Sequence, residues 1–135
     1  MPTTIETAPT SKTMLWAGRV MSGLVVLFLL FDSTIKLIKI APVVEAMNEL
    51  GYPDELSRVL GVIVLACAIL YAIPRTSVLG AILLTALLGG AIASHLRIGS
   101  PIFSHTLFGS YLGLLAWGGL FLQDARLRAL IPLRR

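Results

Sequence analysis

Apolar residues along this chain come in four long runs, separated by short stretches rich in polar residues, glycine and proline. The runs fall at about residues 14–40, 56–73, 76–98 and 106–122. Within each, Leu, Val, Ile and Ala follow one another without the period-two alternation of a barrel strand. A bilayer core about 30 Å thick takes roughly 20 apolar residues of helix. Only helices and closed barrels satisfy every backbone polar group in lipid. The pattern therefore predicts an all-α fold, a four-helix transmembrane bundle. Its second and fourth runs are near the short limit of a span.

The connections sharpen this picture. Pro74–Arg75 joins the second and third runs as a tight turn. Gly99–Ser100–Pro101 and then Ile102–His105 join the third and fourth. The first connection is the longest, residues 41–55. In it Val43, Met47 and Leu50 recur at helical spacing, opposite Glu45, Asn48 and Glu49. That spacing predicts a short amphipathic helix at the membrane interface. Gly51–Tyr52–Pro53 should end it, since Gly caps helices and Pro cannot continue them. Residues 1–13 are Thr-rich with no apolar core, and read as a disordered tail before a membrane domain at 14–135. The first run exceeds a signal-peptide core of about 7–15 residues and lacks a small-residue cleavage site after it. It is expected to be retained. Small residues let membrane helices approach closely. Gly18 and Ser22, then Gly80, Gly89 and Gly90, then Gly109, Gly113, Gly118 and Gly119 suit a tight bundle or a homo-oligomer equally.

Composition supports lipid as the solvent. Of 135 residues, 56% are hydrophobic and 13% charged, against about 25% charged in a soluble domain. The net charge of +4 comes from dispersed basic residues at the ends of runs, so no nucleic-acid surface is expected. Those charges report orientation instead. Lys12, Arg19, Arg75, Arg126, Arg128, Arg134 and Arg135 fall on one side, and Lys36, Lys39, Arg58 and Arg97 on the other. The positive-inside rule puts both termini in the cytoplasm. The single cysteine, Cys67, allows no intrachain disulfide and sits among apolar neighbours as a packing residue.

Charges inside a membrane are costly and invite functional hypotheses. Asp32 and Lys36 share a helix face, acid before base, the favourable order for an ion pair. The topology brings them to the level of His95 and Arg97, at the end of the third run, and of His105, at the start of the fourth. An outer mouth lined by these five groups is the candidate site, while the inner half reads as packing alone. Two readings stand. The cluster is structural, with Lys36 snorkelling to head groups. Alternatively it binds a ligand, with Lys36 or His95 donating to a carbonyl and Asp32 setting the charge. Ser33-x-x-Lys36 also matches a short Ser–Lys nucleophile pattern. Two histidines ten residues apart give no expectation of metal or haem. The absence of a phosphate-binding glycine loop, zinc spacing or CxxC argues against nucleotide and thiol chemistry. Tyr71 and Tyr111 read as belt aromatics, and Trp117, mid-run, as packing or lipid contact.

Several stretches carry a family resemblance. They include Phe31-Asp32-Ser33 with Lys36-Leu37, Leu50-Gly51-Tyr52-Pro53, Ile73-Pro74-Arg75-Thr76 and Leu88-Gly89-Gly90-Ala91. Further on come His95-Leu96-Arg97-Ile98-Gly99-Ser100-Pro101, Trp117-Gly118-Gly119-Leu120 and Arg126-Leu127-Arg128-Ala129-Leu130. In order and spacing the chain resembles the DoxX-like family of small four-helix membrane proteins. The resemblance implies a multi-pass protein of a bacterial inner membrane. A few members of that family are membrane subunits linked to sulfur oxidation and quinone reduction, and most have no assigned activity. The resemblance thus implies a subunit of a quinone-linked redox system, with the cofactor unassigned, quinone the candidate, and a redox protein or a second copy as partner. The alternative is a non-enzymatic scaffold or assembly factor. By motif, Asp32, Lys36, His95 and Arg97 carry over as a polar site. Val64 and Leu87 depart from the family pattern, which often has an acid and a tyrosine there.

Overall fold

A computed structural model describes residues 10–53, 55–103 and 107–130, and among them it contains no strand. Six α-helices follow in order: α1 Lys12–Ile38, α2 Ala41–Leu50, α3 Leu56–Ala72, α4 Ser77–Arg97, α5 Phe108–Gln123 and α6 Ala125–Leu130. A single 3-10 turn, Pro74–Thr76, joins α3 to α4. Helix α1 begins at Lys12 because Ser11 caps it, its Oγ accepting from the Met14 N–H at 3.1 Å. Helical chain thus begins ahead of residue 14; residues 1–9 of the expected tail lie outside the described residues.

Helix α2 stands where the spacing of Val43 and Met47 predicts one, and these two are its buried positions. It ends at Gly51, whose φ of 81° suits glycine. The Gly51 N–H donates to Asn48 O at 3.1 Å and the Tyr52 N–H to Met47 O at 2.9 Å, the paired closure of a Schellman cap. Helix α6 is not visible in the hydropathy pattern. Asp124 starts it, its Oδ1 accepting from the Arg126 N–H at 2.9 Å.

Helix α1 packs against both α3 and α5, α3 packs against α4, and α4 against α5. Glycines permit the closest approaches. A Cβ on Gly80 would lie 2.4 Å from the Tyr71 backbone nitrogen, and one on Gly18 2.6 Å from the Gly119 carbonyl oxygen. Near the other end of α5, a Cβ on Gly109 would be 3.1 Å from Leu88 O. Gly23, Gly89 and Gly90 meet nothing within 4 Å. The small-residue pattern therefore divides into glycines used inside the chain and glycines left open.

The buried core runs through Val25, Leu29, Val64, Ala68, Ala81, Leu84, Leu112 and Ala116. Large apolar side chains point the other way. On α1, Trp16, Val20, Leu24, Leu27, Phe31 and Ile38 are 54–66% exposed and recur every three, four or seven residues, one stripe of a helix. A water-soluble monomer rarely exposes so continuous an apolar face. Two stretches, Lys12–Ile38 and Pro74–Arg97, are long and apolar enough to cross a membrane, where the hydropathy pattern predicts four. The other two helices are cut short by local chemistry. Extended backbone at Ile73, ahead of Pro74, stops α3 after 17 residues. Asp124, extended at the start of α6, stops α5 after 16.

Candidate functional site

The last turns of α1 hold the first expected group. Asp32 and Lys36 form an ion pair one helical turn apart, with side chains 22% and 23% exposed. Between them Ser33 is buried and donates to Leu30 O at 3.0 Å. Its hydroxyl proton is committed to the backbone and Lys36 is held by Asp32, so the Ser–Lys nucleophile pattern is not realised. The end of α1 is fastened to the start of α3. Buried Ser57 donates to the Lys36 carbonyl at 2.8 Å, and Arg58 Nε donates to Leu37 O at 3.3 Å. These bonds satisfy carbonyls that a helix C-terminus leaves without intrahelical partners.

The second group sits where α4 ends. The Tyr52 hydroxyl lies 2.5 Å from Ser94 Oγ. Ser94 in turn donates to Gly90 O at 2.9 Å. A hydroxyl has one proton, so Tyr52 is the donor of the first bond. Arg97 donates from its guanidinium to the Leu50 carbonyl, beside the Gly51 turn. There it supplies both a hydrogen bond and a positive charge to the C-terminus of α2. His95 Nδ1 lies 3.0 Å from Ser100 Oγ. Gly99, with φ of 70°, closes α4 through a Ser100 N–H to His95 O bond of 3.0 Å.

The expected five-residue constellation therefore divides by element. Asp32 and Lys36 come together on α1 and lean on α3. Arg97 engages α2, and His95 engages the turn after its own helix. His105, with Ser104 and Thr106, lies outside the described residues.

The inner half is not featureless packing. Tyr71, at the end of α3, is 2% exposed and is not a belt aromatic. Its hydroxyl donates to Ala116 O on α5 at 2.6 Å and lies 2.8 Å from Ser22 Oγ on α1. Gln123 Nε2 donates to Ser22 Oγ at 2.8 Å and to Gly119 O at 3.0 Å. Three helices thus meet at one polar knot, where Gly18 and Gly119 let the backbones touch. Beyond it, buried Arg128 of α6 turns back on the end of α5. Its Nη1 donates to Phe121 O at 2.9 Å and Leu122 O at 3.1 Å, and its Nη2 to Thr10 Oγ1 at 2.6 Å. Halfway along the helices, Trp117 Nε1 donates to Thr85 Oγ1 at 2.7 Å; it is a bonded residue as well as a packed one. Sequence carried one usable signal for the knot, the Gly18-x-x-x-Ser22 spacing. Gln123 carried none.

Apolar side chains outside, with small and hydrogen-bonded polar residues between the helices, define a helical membrane protein. The chain belongs to the DoxX-like family, whose sequence profile matches residues 20–119. That span takes in Ser22, Asp32, Lys36, Tyr71, His95 and Arg97, and ends before Gln123 and α6. No curated protein and no solved structure matches the chain.

Proposed function

We propose that this chain is a multi-pass membrane scaffold or assembly factor without catalytic activity of its own. In this reading α1, α3, α4 and α5 form a four-helix bundle in a bacterial inner membrane, with both termini cytoplasmic. One observation carries it: among the described residues of the outer rim, Arg97, Ser57, Arg58 and His95 make their bonds to helix ends and turns of the same chain. Arg97 on Leu50 O, Ser57 on Lys36 O and Tyr52 on Ser94 are fastenings. The open Gly89 and Gly90 on α4 suit the close approach of a helix from a partner protein or a second copy. The test uses purified protein in nanodiscs. Arg97→Met removes a helix-end charge contribution of about 0.3–1 kcal/mol and should lower the thermal midpoint. Wild type should show no saturable quinone binding.

A second reading has its own observation. The Lys36 ammonium has three protons, of which the Asp32 bond uses one, and the side chain is 23% exposed. A donor with protons to spare fits the carbonyl of a quinone, so Lys36 would hold it, with Asp32 fixing the charge. Bound quinone would supply two-electron redox chemistry to a membrane subunit of a redox system. Saturable quinone binding that disappears in Lys36→Ala would establish this reading and sink the scaffold.

A further inference from the structure

Beside the inner polar knot, a half-open groove of about 460 Å³ lies between α1, α3 and the end of α5. That volume falls within the range of small-molecule sites. Val26, Leu27 and Leu120 form apolar walls; Ser22, Tyr71, Ser77 and Gln123 supply the polar groups. In lipid an apolar groove offers no hydrophobic preference for one chain over another, because the surrounding tails are equally apolar. Selectivity must then come from hydrogen bonds, and their direction can be counted.

Tyr71 has one hydroxyl proton, and it goes to Ala116 O. Ser22 must therefore be the donor to Tyr71, which commits its own proton. Gln123 uses both amide protons, one on Ser22 Oγ and one on Gly119 O. The Gly119 carbonyl cannot donate, so it fixes the orientation of the amide. Ser77 shares its proton between Tyr71 O at 2.8 Å and Ile73 O at 2.9 Å. Every side-chain donor lining the groove is thus committed within the protein. The Gln123 carbonyl oxygen is different: among the described residues it has no hydrogen-bond partner, and it is not one of the fully buried polar atoms. The groove accepts hydrogen bonds and has none to give.

We infer that this groove binds a lipophilic molecule carrying a hydroxyl or N–H donor, which it holds through Gln123 Oε1. A ligand whose polar head only accepts is rejected. A hydroxyl-bearing glycerolipid and a lipophilic phenol share this chemistry. Neither the scaffold nor the outer-rim quinone reading is needed for the inference.

Gln123 is the single glutamine in the chain, so isotope-labelled glutamine gives one side-chain amide signal. With the full chain in bicelles, the probes are 4-octylphenol and dioleoylglycerol, each against its methyl ether, plus 4'-octylacetophenone as an acceptor-only head. The hydroxyl compounds should bind roughly three- to tenfold tighter than the ethers and shift the Gln123 carbonyl carbon. The ketone should bind no better than an ether. Gly23 lines the groove and a Cβ there meets nothing within 4 Å, so Gly23→Phe should fill the space and remove both effects. Tighter binding of the phenol supports a ring-bearing occupant; tighter binding of the diacylglycerol supports a membrane lipid. Equal affinity for alcohol and ether, or binding that leaves the Gln123 signal in place, would overturn the inference. The wild-type comparison decides the matter even if the glycine variant fails to fold.

Discussion

Tyr71 shows how much one hydroxyl does in this protein. It joins α3 to α5 through Ala116 O and receives the Ser22 proton from α1. Tyr71→Phe keeps the ring in its buried site but removes both bonds, leaving the Ser22 proton unmatched and the Ala116 carbonyl with its helical bond alone. Hydrogen bonds between membrane helices are worth about 0.6 kcal/mol on average and up to about 1.7. With two bonds broken in a dry site, the loss should be about 1–2 kcal/mol. Steric trapping or thermal unfolding in bicelles would measure it. A variant as stable as wild type would mean that the knot contributes nothing to folding.

At the level of helices, close approach matters more than any one polar bond. Gly80 faces the Tyr71 backbone so tightly that even a methyl group would lie 2.4 Å from a nitrogen. Backbone cannot rotate aside as a side chain can, so Gly80→Val must push α4 off α3. It should cost more than Tyr71→Phe, by about 2 kcal/mol or more, in line with other overpacking substitutions. Gly90→Ala is the counterpart, because its Cβ would meet nothing within 4 Å. Relieved of glycine's entropy, the helix should keep its stability or gain up to about 1 kcal/mol. Paired unfolding measurements would separate the two; equal losses would contradict the packing described. The same contrast explains what the sequence revealed. Helices α1 and α4 were legible because long apolar runs determine a helix locally. The glycines were visible as candidates, but which of them touch another helix depends on packing that no local pattern encodes. The knot was hidden for the same reason: Ser22 lies 49 residues from Tyr71 and 101 from Gln123. At the rim, the Asp32–Lys36 pair was legible from its spacing of four. The partner of Arg97, 47 residues away on α2, was not.

Across the whole molecule, the helices differ in length. With a rise of about 1.5 Å per residue, the 27 residues of α1 reach about 40 Å. The 16 residues of α5 reach only about 24 Å, short of a typical hydrocarbon core. A mismatch of this kind thins the surrounding bilayer at a modest cost per ångström. The protein should therefore be more stable in dimyristoyl than in dioleoyl lipid; a higher midpoint in the thicker bilayer would argue against α5 as a spanning helix. In the proposed orientation, a fluorescent protein fused after Arg135 should fluoresce and alkaline phosphatase fused there should stay inactive. The reverse result would place the termini outside.

The Pro74–Thr76 turn has a consequence for how the chain is made. Only four residues separate Ala72 from Ser77, so in the proposed four-helix reading α3 and α4 would insert together. The turn also provides for its own backbone. Thr76 Oγ1 donates to Leu70 O at 2.7 Å and Ser77 Oγ to Tyr71 O at 2.8 Å, so carbonyls at the end of α3 are already matched. In that reading the two helices would pair as a hairpin early in insertion. Tyr71 would then arrive at its depth carried by its neighbour, before α5 has packed to receive its proton.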